Sequence, residues 1–237
     1  MENQISQNKR QNRLNFFREP MTELEMKTFI EEFNDVLIGS NQLKNEFRID
    51  MESFFAALLN NETQYVNFCL IQENNGSFND LSFMIHFSDN MQAASVNDKL
   101  YYLTEKANQM HVLDEDSGSN TYQTKKDEFA DSSSGLGAQI SAATGVSNYT
   151  RIISYERKTV IAYFLSLLLE LSDLNDLRDI KYFKLDMIKF KKMAGSANAG
   201  YYEKEEGRIS FGVCAVYEDS AKAIKKTKSY DCGSLHP

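Results

Sequence analysis

The sequence predicts an α+β fold: an antiparallel sheet of about 4–6 strands with three main α-helices packed on it. Three observations predict it. Two stretches carry apolar residues at helical spacing, two others alternate apolar and polar residues around an Asn-Gly pair, and no regular βαβ alternation appears.

Taken in order, residues 1–19 are rich in Gln and Asn and contain Lys9, Arg10, Arg13 and Arg18 without an apolar period. They are expected to form a flexible N-terminal arm. Thr22 and Glu25 form a capping box, each side chain able to satisfy the other's backbone N–H. Met26, Phe29, Ile30, Phe33, Val36 and Leu37 follow on one helical face, with Gly39-Ser40 as the stop. Asp50 caps a second helix whose stripe is Met51, Phe54, Phe55, Leu58 and Leu59.

Val66, Phe68 and Leu70 alternate with Asn67 and Cys69, and Leu81, Phe83, Ile85 and Phe87 alternate with Ser82, Met84, His86 and Ser88. A period of two marks half-buried strands. Residues 73–77, with Asn75-Gly76, supply the hairpin turn. Residues 98–114 fit either a helix or two short strands, and their aromatic content favours strands.

Residues from about 114 to 147 have loop composition, seen in Asp114-Glu115-Asp116-Ser117-Gly118-Ser119-Asn120 and in Asp131-Ser132-Ser133-Ser134-Gly135-Leu136-Gly137. They divide the chain into either two domains, 20–113 and 148–237, or one domain over 20–237 with a long polar loop. The second division is preferred, because the later part offers one clear helix and two or three strands, a thin core alone. Ser154 is expected to cap a third helix over roughly 155–172, apolar around most of its circumference from Val160 to Leu171. Residues 179–191 fit helix or strand. Arg208–Tyr217 is a clear strand, with Ile209, Phe211, Val213, Ala215 and Tyr217 on one face.

Composition narrows the class. The chain has 237 residues, 42% of them hydrophobic, and a formal net charge of −8, which suits an acidic globular protein. The polar first ten residues do not form a secretory signal, and the Val160–Leu171 run is too short to cross a bilayer. Three cysteines, Cys69, Cys214 and Cys232, argue against a disulfide framework. Cys69 and Cys214 are expected to be inert core residues. A cytoplasmic location without membrane contact follows as the expectation.

Phosphate-cradle, dinucleotide, HExxH, CxxC and nucleophile-elbow signatures are missing. Gly135-Leu136-Gly137 lacks the preceding strand that a phosphate cradle needs. His86 is expected to be a partly exposed strand histidine on the face opposite the core. His111 is followed by Asp114, Glu115 and Asp116, which read as a solvated acidic loop or, with the imidazole, as hard donors able to hold a divalent cation, though without diagnostic ligand spacing. Cys232 and His236 have C-x₃-H spacing without a second ligand pair. Arg151, Tyr155, Arg157 and Tyr201-Tyr202 are the residue types common at interfaces. No metal or cofactor is expected.

Thr150-Arg151, Gly207-Arg208 and the ending Tyr230-Asp231-Cys232-Gly233 frame a helix, a strand, a loop and a final strand. In this layout residues 149–237 resemble a group of uncharacterised small bacterial α+β proteins. The resemblance implies no activity and no site residue.

The functional expectation is a non-catalytic intracellular interaction or regulatory protein acting through protein–protein contacts, with self-association through a spare apolar face of the third helix. One alternative is a small hydrolase or toxin-like enzyme using His86 or His111 with Asp114, Glu115 or Asp116. The other is a nucleic-acid binder using Lys181, Lys184, Lys189, Lys191 and Lys192 with Lys222, Lys225, Lys226 and Lys228.

Overall fold

The computed structural model describes residues 20–75, 78–91, 99–106, 109–115, 121–170, 179–219, 221–229 and 234–236. The expected arm over residues 1–19 lies outside them. The helices are α1 (Glu23–Asn34), α2 (Met51–Leu59), α3 (Thr121–Ala130), α4 (Leu136–Thr144), α5 (Arg157–Glu170) and α6 (Ala199–Lys204). The strands are β1 (Leu37–Ile38), β2 (Asn41–Gln42), β3 (Glu46–Asp50), β4 (Tyr65–Asn75), β5 (Phe78–Ser88), β6 (Lys99–Lys106), β7 (Gln109–Glu115), β8 (Ile152–Glu156), β9 (Ile180–Lys189), β10 (Ile209–Glu218), β11 (Ile224–Lys226) and β12 (Ser234–His236).

The α+β class holds, with mostly antiparallel strands, but the sheet is larger than expected. Ten strands run in the order β11-β10-β9-β3-β7-β6-β5-β4-β8-β12, and β1-β2 form a separate ribbon. β3 and β7 are parallel, through the single pair Ile49↔Met110.

Local chemistry starts the elements as the residues dictate. Thr22 N–H donates to Glu25 Oε2 at 2.6 Å, and Glu25 N–H donates to Thr22 Oγ1 at 3.2 Å. Asp50 Oδ1 accepts from Ser53 N–H at 2.8 Å and opens α2. The β4–β5 hairpin pairs from Tyr65↔Ser88 to Asn75↔Phe78, leaving only residues 76 and 77 to connect the strands.

Contacts between distant strands show that the sheet is rolled. β5 and β10 are five steps apart in the sheet, about 24 Å if it were flat. Yet the rings of Phe83 and Phe211 have centroids 5.4 Å apart, and Phe68 of β4 lies 5.7 Å from Phe211. The inner faces of the two flanks therefore pack on each other. Thr150 Oγ1 donates to the Ile209 carbonyl at 2.8 Å, so the start of β8 meets the start of β10 across the opening.

Helices stopper the roll. Phe54 of α2 stacks on Phe183 at 5.6 Å and reaches Phe164 of α5 at 6.3 Å. At the other end of β4, Leu136 N–H donates to Gln72 Oε1 at 2.9 Å and Lys125 pairs with Glu73 at 2.6 Å, holding α4 and α3. α1 lies on the outer face instead, where Phe29 packs edge-on against Phe190 at 5.6 Å and Tyr202 at 4.8 Å.

Several expectations are corrected. The segment expected as a polar loop over 114–147 contains the end of β7 and helices α3 and α4. Its amphipathic signal is weak because, among the described residues, α3 and α4 insert only Phe129, Leu136 and Ile140 into the main core. Ser154 is a buried residue of β8 rather than a cap, and α5 begins at Arg157. α1 ends at Asn34, so Val36 follows it and Leu37 opens β1. Residues 179–191 resolve as strand β9, and 98–114 as β6 and β7.

The glycine pair is a packing device. A Cβ on Gly135 would lie 2.5–2.6 Å from the carbonyl oxygens of Glu128, Phe129 and Asp131, and one on Gly137 would lie 2.4 Å from the Tyr149 ring. The α3–α4 corner closes only without those side chains. Replacing Gly135 with Ala should destabilise the fold by about 1–3 kcal/mol through overpacking against backbone, measured as a lower urea midpoint at unchanged slope.

Candidate functional site

The outer sheet face carries two polar clusters. The first lies on β4, β5 and β8. The hairpin register sets Asn67 opposite His86 and Cys69 opposite Met84, and β8 places Ser154 and Ile152 on the other side of Asn67 and Cys69. His86 is corrected from partly exposed to fully buried, as are Asn67 and Cys69. His86 Nδ1 lies 3.3 Å from Cys69 Sγ, and His86 Nε2 lies 2.6 Å from Asn67 Nδ2.

Asn90 and Met91, just after β5, are pinned over this face. Asn67 Nδ2 also donates to the Asn90 carbonyl at 2.9 Å, and Ser154 Oγ donates to the Met91 carbonyl at 2.9 Å. Asn90 N–H in turn donates to Ser88 Oγ at 2.9 Å. The Asn90 carbonyl fixes the amide with its NH₂ toward the imidazole. His86 Nε2 is then the acceptor, and Nδ1 carries the proton toward the sulfur. In this tautomer His86 cannot take the thiol proton, so Cys69 is not activated as a nucleophile.

Of the groups expected to act together, His111 is set apart from His86, whereas the end of β7 is nearer: Glu115 pairs with Tyr101 of β6 and Tyr101 with Ile85, beside His86, two strands or about 10 Å across. His111 is a β7 residue paired with Thr104 of β6, whereas His86 pairs with Leu100. Four residues along β6 and two strands across put the two backbones about 16 Å apart. Asp114 and Glu115 end β7. Asp116 and Cys232 lie outside the described residues, as do the side chains of His111, Asp114, Glu115 and His236.

The second cluster lies on β3 and β9 and is half open to water. Glu46 and Asp186 are directly opposed across the strands, as are Arg48 and Lys184. Lys184 Nζ lies 2.8 Å from Asp186 and 3.1 Å from Glu46, while Arg48 Nε lies 2.6 Å from Glu46. The Arg48 guanidinium also covers the Tyr182 ring at 5.2 Å.

Burial and pairing compete here. Burial dominates at Asp186 and raises its pKa despite the Lys184 ammonium, with the Glu46 charge adding to the rise. At Glu46 burial is outweighed by Arg48 and Lys184, and the pKa falls. Burial also opposes the Lys184 charge, but Asp186 and Glu46 overcome it and raise that pKa. Burial pushes the neighbouring Cys214 thiol up to about 11, with the Asp186 charge adding to it, which keeps the sulfur protonated and unreactive.

The basic stretch expected to suit nucleic acid is locally neutralised. Lys181 pairs with Glu218 at 2.8 Å, Lys189 with Glu32 at 3.0 Å and Lys225 with Asp219 at 2.8 Å. Lys191 shares Glu32, and Lys192 pairs with Glu203. Of the interface-type residues, Arg151 and Tyr201 are half-buried, and the other three are packing groups. Tyr155 and Tyr202 are buried, and Arg157 donates to the carbonyls of Thr63 and Leu58 at 2.7 and 2.8 Å. Among the described residues, no group of three or more His, Cys, Asp and Glu side chains could hold a metal ion. The core void lined by Phe54, Phe68, Tyr155, Val160, Phe183 and Val213 measures about 10 Å³, room for a single water.

The second cluster yields a pH prediction. A folded carboxyl with a raised pKa favours folding while protonated, and that contribution is lost as pH climbs through the folded value. Asp186→Asn keeps the shape, removes the buried charge and leaves Lys184 its Glu46 partner. Its melting temperature should match or exceed wild type at pH 7 and converge with it below about pH 4. Lys184→Met leaves Glu46 and Asp186 facing each other without their shared cation. It should lower stability by about 1–3 kcal/mol at pH 7 in urea denaturation.

Comparison of the chain with protein families, curated proteins and solved structures finds no match.

Proposed function

We propose that this chain is a non-catalytic, cytoplasmic interaction protein that acts through protein–protein contacts, with a second copy of itself as the first partner. The observation that carries this reading is the outer side of the α2–α5 helix pair. Leu59 at its end of α2 is 55% exposed, and Leu165 on α5 is 47% exposed.

The helices run antiparallel. Phe55 packs against Phe164 at 6.1 Å, and Arg157 at the start of α5 bonds the Leu58 carbonyl at the end of α2. Val160, Tyr163, Phe164 and Leu167 turn inward, while Phe55 and Ile161 are half-buried between that core and the surface. Ala56 and Ala162 are exposed beside them. The pair therefore offers an apolar strip of small and large side chains. An antiparallel helix pair suits a two-fold contact, where the same strip meets itself. No helix among the described residues is long and apolar enough to cross a membrane.

Sedimentation velocity of the full chain at micromolar concentrations tests the reading. Wild type is expected to sediment as a dimer, and the double variant Leu59→Glu, Leu165→Glu as a monomer with an unchanged melting temperature, since both side chains face solvent in one subunit. A wild-type monomer at all concentrations, or a dimer that survives the double substitution, rejects it.

A further inference from the structure

We propose that Cys69, Met84 and His86 form a binding site for a soft monovalent metal ion, with Cu(I) as its ligand. The three lie together on the outer face of one hairpin. Cys69 and Met84 are directly opposed, and His86 is the next residue on that face of β5. All three are fully buried, and Cys69 and Met84 share an apolar cluster with Ile71 and Ile152.

The donor set selects the ion. Thiolate and thioether sulfur with imidazole nitrogen favour Cu(I) over hard cations, and the setting is dry. The spacing suits a common ion as well. Metal–sulfur and metal–nitrogen bonds of about 2.3 and 2.0 Å at a tetrahedral angle place the two donors about 3.5 Å apart. Cys69 Sγ and His86 Nδ1 are 3.3 Å apart.

A second observation points to the same state. Asn67 Oδ1 is buried without a hydrogen-bond donor. Metal at His86 Nδ1 requires the ring proton on Nε2, beside that amide. A half-turn of the Asn67 side chain then lets Oδ1 accept from Nε2–H, in exchange for the bond to the Asn90 carbonyl. A ligating imidazole is ordinarily fixed by such an outer acceptor. The balance is simple: the Cys69 S–H bond breaks, a sulfur–copper bond forms, one proton leaves to solvent, and no electron is transferred.

Titrating the reduced full chain with Cu(I) buffered by bathocuproine disulfonate, without oxygen, tests the site. Wild type should withdraw one equivalent more copper than Cys69→Ser, and Met84→Leu should bind that equivalent about tenfold more weakly or worse. Far-ultraviolet circular dichroism reports folding. If Cys69→Ser fails to fold, Met84→Leu, an apolar exchange of similar volume, carries the test. Equal uptake by wild type and Cys69→Ser, affinity untouched by Met84→Leu, or occupancy by Zn(II) in preference to Cu(I) would each overturn the proposal.

Discussion

The fold depends on one contact across space, the packing of Phe83 and Phe68 from one flank of the sheet against Phe211 from the other. Strands that far apart in a sheet touch only if it rolls, and a rolled sheet turns one face into a closed interior. That interior is filled by rings, with Phe47, Phe54 and Phe183 completing the contact. The helices then have a different task from covering a flat face. α2 and α5 close one end of the roll, while α3 and α4 hold the other. The terminal strands β11 and β12 have three residues each, short enough to leave little open edge.

This geometry explains what was legible in the sequence. α1, α2 and the β4–β5 hairpin each carry a complete local signal: a cap, a periodic stripe, or alternation about a turn. β10 was legible, although both of its faces are buried, because its apolar run is long and bounded by Gly207. β9 remained ambiguous for a physical reason. Its inner residues Phe183, Leu185 and Met187, its outer residue Ile188 and Phe190 just beyond it are all buried, so neither period dominates. α3 and α4 were illegible because they meet the core through so few side chains. Rolling itself leaves no local trace, since it depends on pairings between distant strands.

The candidate sites were less legible than the fold. His86, Cys69 and Asn67 were each visible, but their meeting depends on register. A turn spread over residues 73–77 leaves that register open, whereas a connection of only residues 76 and 77 fixes Asn67 opposite His86. The Glu46–Lys184–Asp186 cluster was further from reach. Glu46 and Asp186 are separated by 140 positions in sequence and are joined only when β3 and β9 pair.

The two outer clusters differ because of what lies over them. At β3 and β9, Lys184 retains 21% side-chain exposure and Asp186 13%, so water still supports charge and the groups persist as ion pairs. At β4 and β5, Asn67, Cys69 and His86 are fully buried, where an uncompensated charge is costly. The cluster accordingly keeps neutral groups whose hydrogen bonds run imidazole to sulfur and amide to imidazole. Such a site resists a proton or a hard cation. A soft ion that replaces the thiol proton leaves the local charge unchanged, so it enters without that electrostatic cost. The same burial that removes Cys69 from nucleophilic chemistry is thus what suits it to a soft metal.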